Sequence, residues 1–162
     1  MLGQGDTAPQ FLLPDQDGRA VALAELLEGG SLLLYFYPAD FTGICTREAC
    51  LFRDAHAGLR AAGLQAAGIS TDTPETHRRF RDRYGLPFPL LSDPGKIAIR
   101  AFGVDGPFGI GVRRASFLIG ADGRILSAVR SDFRLGPHAR LLDRAAKSAT
   151  AGPASAPPRT ES

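Results

Sequence analysis

Hydrophobic residues run almost unbroken over 31–37 and 64–70. Runs this short predict strands buried on both faces. Between them the apolar positions change period. Phe52, Ala55, Leu59 and Ala62 recur at helical spacing, so 42–62 reads as a helix that Gly63 closes. A second helix follows the second strand, with Thr73 as its N-cap, Pro74 at its first position and Gly85 as its stop. Residues 86–91 read as extended and 94–102 as a short helix. A glycine-rich loop covers 103–111, and residues 137 to about 148 form the last helix. Two hairpins complete the pattern: 11–14 with 19–23, and 115–119 with 124–129 around Ala121, Asp122 and Gly123. Residues 24–27 form a short helical turn that Gly29 and Gly30 end.

Strands alternating with helices, then a hairpin and a helix, predict an α/β fold of the thioredoxin-like sandwich type: a central mixed sheet flanked by helices, with an N-terminal hairpin. One domain over 1–149 and a disordered Ala/Pro-rich tail over 150–162 are the expected organisation. A hydrophobic fraction of 44% is enough for a real core.

Net charge is +2 with both signs interspersed, so nothing points to nucleic acid. No apolar run approaches a membrane span, and the N-terminal residues lack the basic and apolar segments of a secretory signal. The expected location is therefore cytoplasmic. Structural disulfides are rare there, which makes the two cysteines candidates for chemistry.

Cys45 falls where the first long helix begins, after Pro38 and Thr42. Helix starts favour the thiolate, which is the nucleophilic form. At 100° per residue Cys45 lies within roughly 40° of the packed face, and Cys50 lies roughly 140° further round, beside Arg47, Arg53 and Asp54. In an unbroken helix their Cα atoms are about 8–9 Å apart, beyond the reach of a disulfide. A bond between them requires local unwinding, which suits a redox cycle better than a staple. A zinc site would have to add ligands from His56, His77 and His138, whose spacing is poor. The loop over 103–111 lacks the Gly-Lys-Ser/Thr ending of a phosphate loop.

Pro38-x-x-x-Thr42-x-x-Cys45 resembles the active-site motif of the peroxiredoxins. Cys50, five positions on, resembles the second cysteine of the bacterioferritin-comigratory-protein (PrxQ) branch. The likeness extends through residues 68–72, 90–94 and 114–119 and covers about 2–147. It implies a thiol peroxidase without cofactor or metal. Cys45 attacks the peroxide and becomes a sulfenic acid. Cys50 condenses with it to an intramolecular disulfide, and thioredoxin or a similar dithiol restores both thiols. The resemblance assigns peroxide binding to the Thr42 hydroxyl and the Cys45 N–H, shielding to Pro38, activation of the sulfur to Arg114, and anchoring of that arginine to Glu48. It further implies a monomer, with an edge-to-edge dimer as the alternative.

Read as bare residues, each has a plainer role: Pro38 as a strand end, Thr42 as an N-cap, Glu48 as a solvated helix residue, His56 as helix surface. Arg113 and Arg114 point to opposite faces, and Arg114 is the one expected in the pocket.

Thr42-Gly43-Ile44-Cys45 departs from the usual Thr-Pro-Gly-Cys of that branch and is similar to the alkyl hydroperoxidase E type. Ile44 adds an apolar wall that favours organic hydroperoxides. A redox sensor using the same switch, and a thioredoxin-fold interaction module with inert thiols, remain open from the residues alone.

Overall fold

The computed structural model describes the backbone of residues 1–155 and the side chains of residues 1–147. Its elements are β1 (Leu12–Pro14), β2 (Ala20–Ala22), α1 (Leu23–Leu26), β3 (Ser31–Phe36), α2 (Gly43–Ala61), β4 (Leu64–Ser70), α3 (Pro74–Tyr84), β5 (Leu90–Ser92), α4 (Ile97–Ala101), β6 (Ala115–Ile119), β7 (Ile125–Arg130) and α5 (Gly136–Ser155). β1 and β2 pair as a separate hairpin, and the main sheet has the order β5-β4-β3-β6-β7. β3 runs parallel to β4 and antiparallel to β6, so the sheet is mixed as expected.

β3 is buried on both faces because its side chains alternate between two cores. Leu32, Leu34 and Phe36 pack with Phe11, Phe102 and Phe117 on one side. Leu33, Tyr35 and Tyr37 pack on the other with Cys45 and Phe52 of α2, Phe80 of α3, and Leu141 and Leu142 of α5. Tyr35 stacks on Phe52 with ring centroids 4.3 Å apart. Gly68 of β4 leaves room for that ring: a Cβ there would meet Tyr35 Cζ at 2.9 Å.

α3 is bounded as its caps predict. The Thr73 hydroxyl accepts from Thr76 N at 3.2 Å, and Gly85 turns left-handed at φ +62°. α4 starts later than the proline at 94 suggested. Asp93 takes the N–H groups of Ile97 and Ile99 at 2.8 and 2.9 Å, and Lys96 is left-handed, so 93–96 form a turn ahead of the helix. α5 runs on to Ser155, past the expected end near 148 and into the segment read as tail. The remainder of that tail, 156–162, lies outside the described residues.

The end of β3 positions the site. The chain leaves Phe36, crosses Pro38 and Asp40, and enters α2 at Gly43. Phe36 pairs with Ala115, so Arg114, one residue before β6, arrives at the same end of the sheet as the start of α2. Among the described residues no helix is long and apolar enough to cross a membrane.

Candidate active site

Cys45 sits in the first turn of α2 and is 1% exposed. The first intrahelical bond runs from Thr46 N to Thr42 O at 2.8 Å, so the N–H groups of residues 43–45 precede the ladder and are free to face an anion. Arg114 Nη2 donates to Cys45 Sγ at 3.2 Å. A guanidinium N–H aimed at sulfur favours the thiolate.

Side-chain alternation on the approach to β6 sends Arg114 and Ser116 to the Tyr35 face, and Ala115 and Phe117 to the other. Arg114 is accordingly buried, while Arg113 is half-buried and reaches Asp132 Oδ2 at 3.4 Å.

Arg114 Nη1 donates to Glu48 Oε1 at 2.7 Å. Glu48 is wholly buried, not solvated as a helix carboxylate usually is. Burial pushes its carboxyl up to about 7 against the pull of Arg114. One oxygen, Oε2, has no hydrogen-bond partner among the described residues. His138 Nδ1 of α5 lies 3.7 Å from it. Arg114 is held from behind as well: Nε donates to the Asp132 carbonyl at 3.1 Å, and its backbone N–H to Asp132 Oδ1 at 2.9 Å.

Thr42 occupies the N-cap position of α2 without a side-chain cap bond; its hydroxyl donates to Ala39 O at 3.0 Å instead. Pro38, Thr42 and Ile44 line a cleft of about 650 Å³ with Pro107, Ile110, Val112, Arg114 and Phe133. The glycine-rich loop after Gly103 therefore forms the far wall, through a 3₁₀ turn at Pro107–Gly109. Phe133 and Ile110 stand exposed at its mouth.

Cys50 is partly buried on α2, and both cysteines are free thiols. α2 is continuous from Gly43 to Ala61, so they lie on separate faces of one intact helix. Pro38, Thr42, Cys45, Glu48 and Arg114 are thus brought to one place, with Cys50 a turn further along α2.

Two buried clusters were not anticipated. Behind Glu48, His138 Nδ1 lies 2.8 Å from Ser116 Oγ, and Nε2 lies 3.1 Å from the Ser131 carbonyl. Burial lowers this imidazole below the ordinary histidine value. Beneath the loop from β3 to α2, Asp40 accepts from Tyr37 Oη at 2.6 Å and lies 2.6 Å from His77 Nδ1. Asp40 N donates to Asp72 Oδ2 at 2.8 Å. Asp40, Asp72 and His77 are close enough to hold a metal, but neither cysteine belongs to that group and its members bond to one another. Helical period was the available signal. His138 shares a face with Leu141, Leu142 and Ala145, and His77 shares one with Phe80, and all six are buried.

This fold with a sheltered thiol at a helix start defines a thioredoxin-like thiol enzyme. The AhpC/TSA family matches residues 4–128, and the chain belongs to that family. It is a peroxiredoxin, a thiol-dependent peroxidase, on the Bcp/PrxQ side of the family. Peroxiredoxin Bcp of Escherichia coli (strain K12) is 44% identical over 143 residues, covering 85% of this chain and 90% of that one. The crystal structure of peroxidoxin BcpB from Mycobacterium tuberculosis superimposes with a TM-score of 0.85 at 35% identity, covering 91% of this chain and 98% of that one. A Xanthomonas campestris bacterioferritin comigratory protein, studied in a trapped intermediate/ligand complex for its alkyl peroxide reduction activity, gives a TM-score of 0.78 at 29% identity, covering 86% and 92%.

Proposed function

We propose that the protein reduces hydrogen peroxide and organic hydroperoxides at Cys45, forms a Cys45–Cys50 disulfide, and is recycled by thioredoxin or a similar dithiol. The observation that carries this reading is the Arg114 Nη2 to Cys45 Sγ bond of 3.2 Å beside an open, largely apolar cleft.

The thiolate of Cys45 attacks the terminal oxygen of ROOH. The O–O bond breaks, sulfur becomes S–OH, and RO⁻ leaves. Negative charge grows on the leaving oxygen, so donors fixed in advance accelerate the step. The N–H groups at the start of α2 and the Arg114 guanidinium are those donors. The Thr42 hydroxyl is committed to Ala39 O but keeps its lone pairs, with which it accepts the peroxide O–H. Pro38 and Ile44 close the apolar side and limit water. Substrates with an alkyl tail suit that wall, in keeping with the activity for which the Xanthomonas relative was studied.

The sulfenic acid then condenses with the Cys50 thiol, releasing water and forming S–S. The two sulfurs meet only after the first turns of α2 unwind, since intact helix holds the Cα atoms about 8–9 Å apart. The dithiol partner attacks the disulfide and returns both thiols.

Stopped-flow peroxide consumption with thioredoxin and its reductase tests the scheme. Cys45→Ser abolishes consumption. Cys50→Ser consumes one equivalent and stops. Sustained thioredoxin-driven turnover by Cys50→Ser would remove Cys50 from the cycle.

A further inference from the structure

The far wall of the cleft is a loop with little regular structure to hold it. Pro107, Ile110 and Gly111 of that loop line the cleft. Phe108, Gly109 and Gly111 are all left-handed, at φ +57°, +76° and +76°. Its own backbone closes only a tight turn: Gly109 N donates to Gly106 O, Ile110 N to Pro107 O and Gly106 N to Gly111 O, each at 3.0 Å. The side chains of Phe108 and Ile110 stand exposed. A short, glycine-rich segment of this kind opens locally at little cost unless something outside it ties it down.

Lys96 does so from the turn between β5 and α4. Its Nζ donates to Gly109 O at 2.8 Å, to Gly111 O at 3.0 Å and to Asp105 Oδ1 at 2.8 Å. An ammonium has three donors, and all of them converge on one loop. Among the described residues no other group outside 105–112 hydrogen-bonds to 106–111. Asp105 completes the clamp: Oδ1 also accepts from Gly106 N at 3.1 Å, and the bond to Lys96 holds this carboxyl below its ordinary value. Arg100 Nε reaches Asp105 Oδ2 at 3.3 Å but touches no loop carbonyl. Lys96 is itself left-handed at φ +58°, a conformation uncommon outside glycine, and its side chain is only 15% exposed. A lysine on a solvated face has neither feature.

Lys96 does not line the cleft, and none of its bonds goes to Pro38, Thr42, Cys45, Glu48 or Arg114. It acts on a substrate only through the loop it holds. Hydrogen peroxide reacts at the start of α2 and has nothing to lay against that loop. An alkyl tail does, and a wall fixed in advance spares the cost of ordering it when the tail binds. We infer that Lys96 is a positioning residue that fixes the far wall of the cleft and thereby sets the preference for tailed hydroperoxides over hydrogen peroxide. The inference rests on the reading that Cys45 reduces both.

The test separates the two. The chain has no tryptophan, so oxidation is followed by mass. In a Cys50→Ser background, which retains the sulfenic acid, the reduced protein is mixed with hydrogen peroxide or with straight-chain alkyl hydroperoxides of increasing length. Acid quenching and intact mass give the rate of oxygen addition to Cys45. The expected rate constant rises with tail length, by up to about fourfold per methylene buried. Lys96→Met keeps the apolar stem and removes the donors. It flattens the rise, with a loss of about tenfold for the longest tail, and leaves the hydrogen peroxide rate unchanged. Hydrogen exchange quickens at the amides of 106, 109 and 110 while α2 and the main sheet stay protected, which shows the fold intact. Arg100→Met removes the other cation from Asp105 and no bond from the loop backbone, and it keeps the full rise. No rise in the parent, a full rise in Lys96→Met, an equal loss for hydrogen peroxide, or an equal flattening in Arg100→Met overturns the role of Lys96. Oxygen added to Cys45 of the parent by hydrogen peroxide leaves the peroxidase reading intact in all four cases. No oxygen on Cys45 from any hydroperoxide overturns that reading itself.

Discussion

Replacing Glu48 by glutamine removes one titration from the buried site, and its effect on stability can be worked out. The ordinary carboxyl value of 4.5 becomes about 7 in the folded protein, chiefly through burial. Between those values the folded chain keeps a proton that the unfolded chain has released. Stability from this group is therefore fully present below pH 4.5 and is lost as pH rises through about 7. At about 1.4 kcal/mol per pH unit the gap amounts to about 3 kcal/mol. With a urea slope of about 2 kcal/mol per M, the wild-type midpoint falls by about 1.5 M relative to Glu48→Gln over that interval. His138 titrates with the opposite sign: its lowered folded value costs stability as pH falls below the ordinary 6.5, in both proteins. The assay is urea unfolding of wild type and Glu48→Gln at intervals from pH 4.5 to 8. Midpoints that run parallel would refute the reasoning, as would a wild type that gains on the variant as pH rises.

Three further outcomes are expected. Arg114→Met slows the stopped-flow peroxide step by about 10²–10³, the loss expected for a charge-stabilising donor, whereas Arg113→Met, whose half-buried pair with Asp132 at 3.4 Å is worth about 0–1 kcal/mol, changes it little. Gly68→Ala pushes Tyr35 against Phe52 of the cysteine-bearing helix and costs about 1–3 kcal/mol by urea unfolding; an unchanged midpoint would mean the ring has space to give. Ile110→Ser raises KM for a fatty-acyl hydroperoxide several-fold and leaves hydrogen peroxide kinetics unchanged, and equal effects on both substrates would separate the apolar mouth from tail binding.

Legibility in the sequence followed the range of the interactions. β4 begins and ends at the predicted residues, because its apolar run is bounded by Gly63 and by the polar turn after Ser70. α3 does likewise, because Thr73, Pro74 and Gly85 act within one turn of the helix ends. Cys45 and Thr42 were visible because their spacing is local. Arg114 was visible only by likeness to a family, since it meets the sulfur across 69 residues of chain. The Glu48–Arg114 pair was expected from the same likeness, but His138 behind Glu48 and the partners of Asp40 were not visible. Ser116 meets His138 through the register of β6 against α5, and Asp40 meets His77 across 37 residues. A lone buried histidine declares its partner only when the fold closes, although its place on an apolar helix face marked it as inward. The start of α4 was misjudged for a related reason. Asp93 works as a cap from four and six residues away, while Pro94 alone suggested an earlier first turn.

The most direct test treats the protein with one equivalent of hydrogen peroxide and reads mass and hydrogen exchange together. The account predicts one added oxygen on Cys45 in Cys50→Ser. In wild type it predicts a Cys45–Cys50 bond, with faster exchange over residues 42–50. An unmodified Cys45, or a joined pair whose helix stays as protected as before, would contradict it.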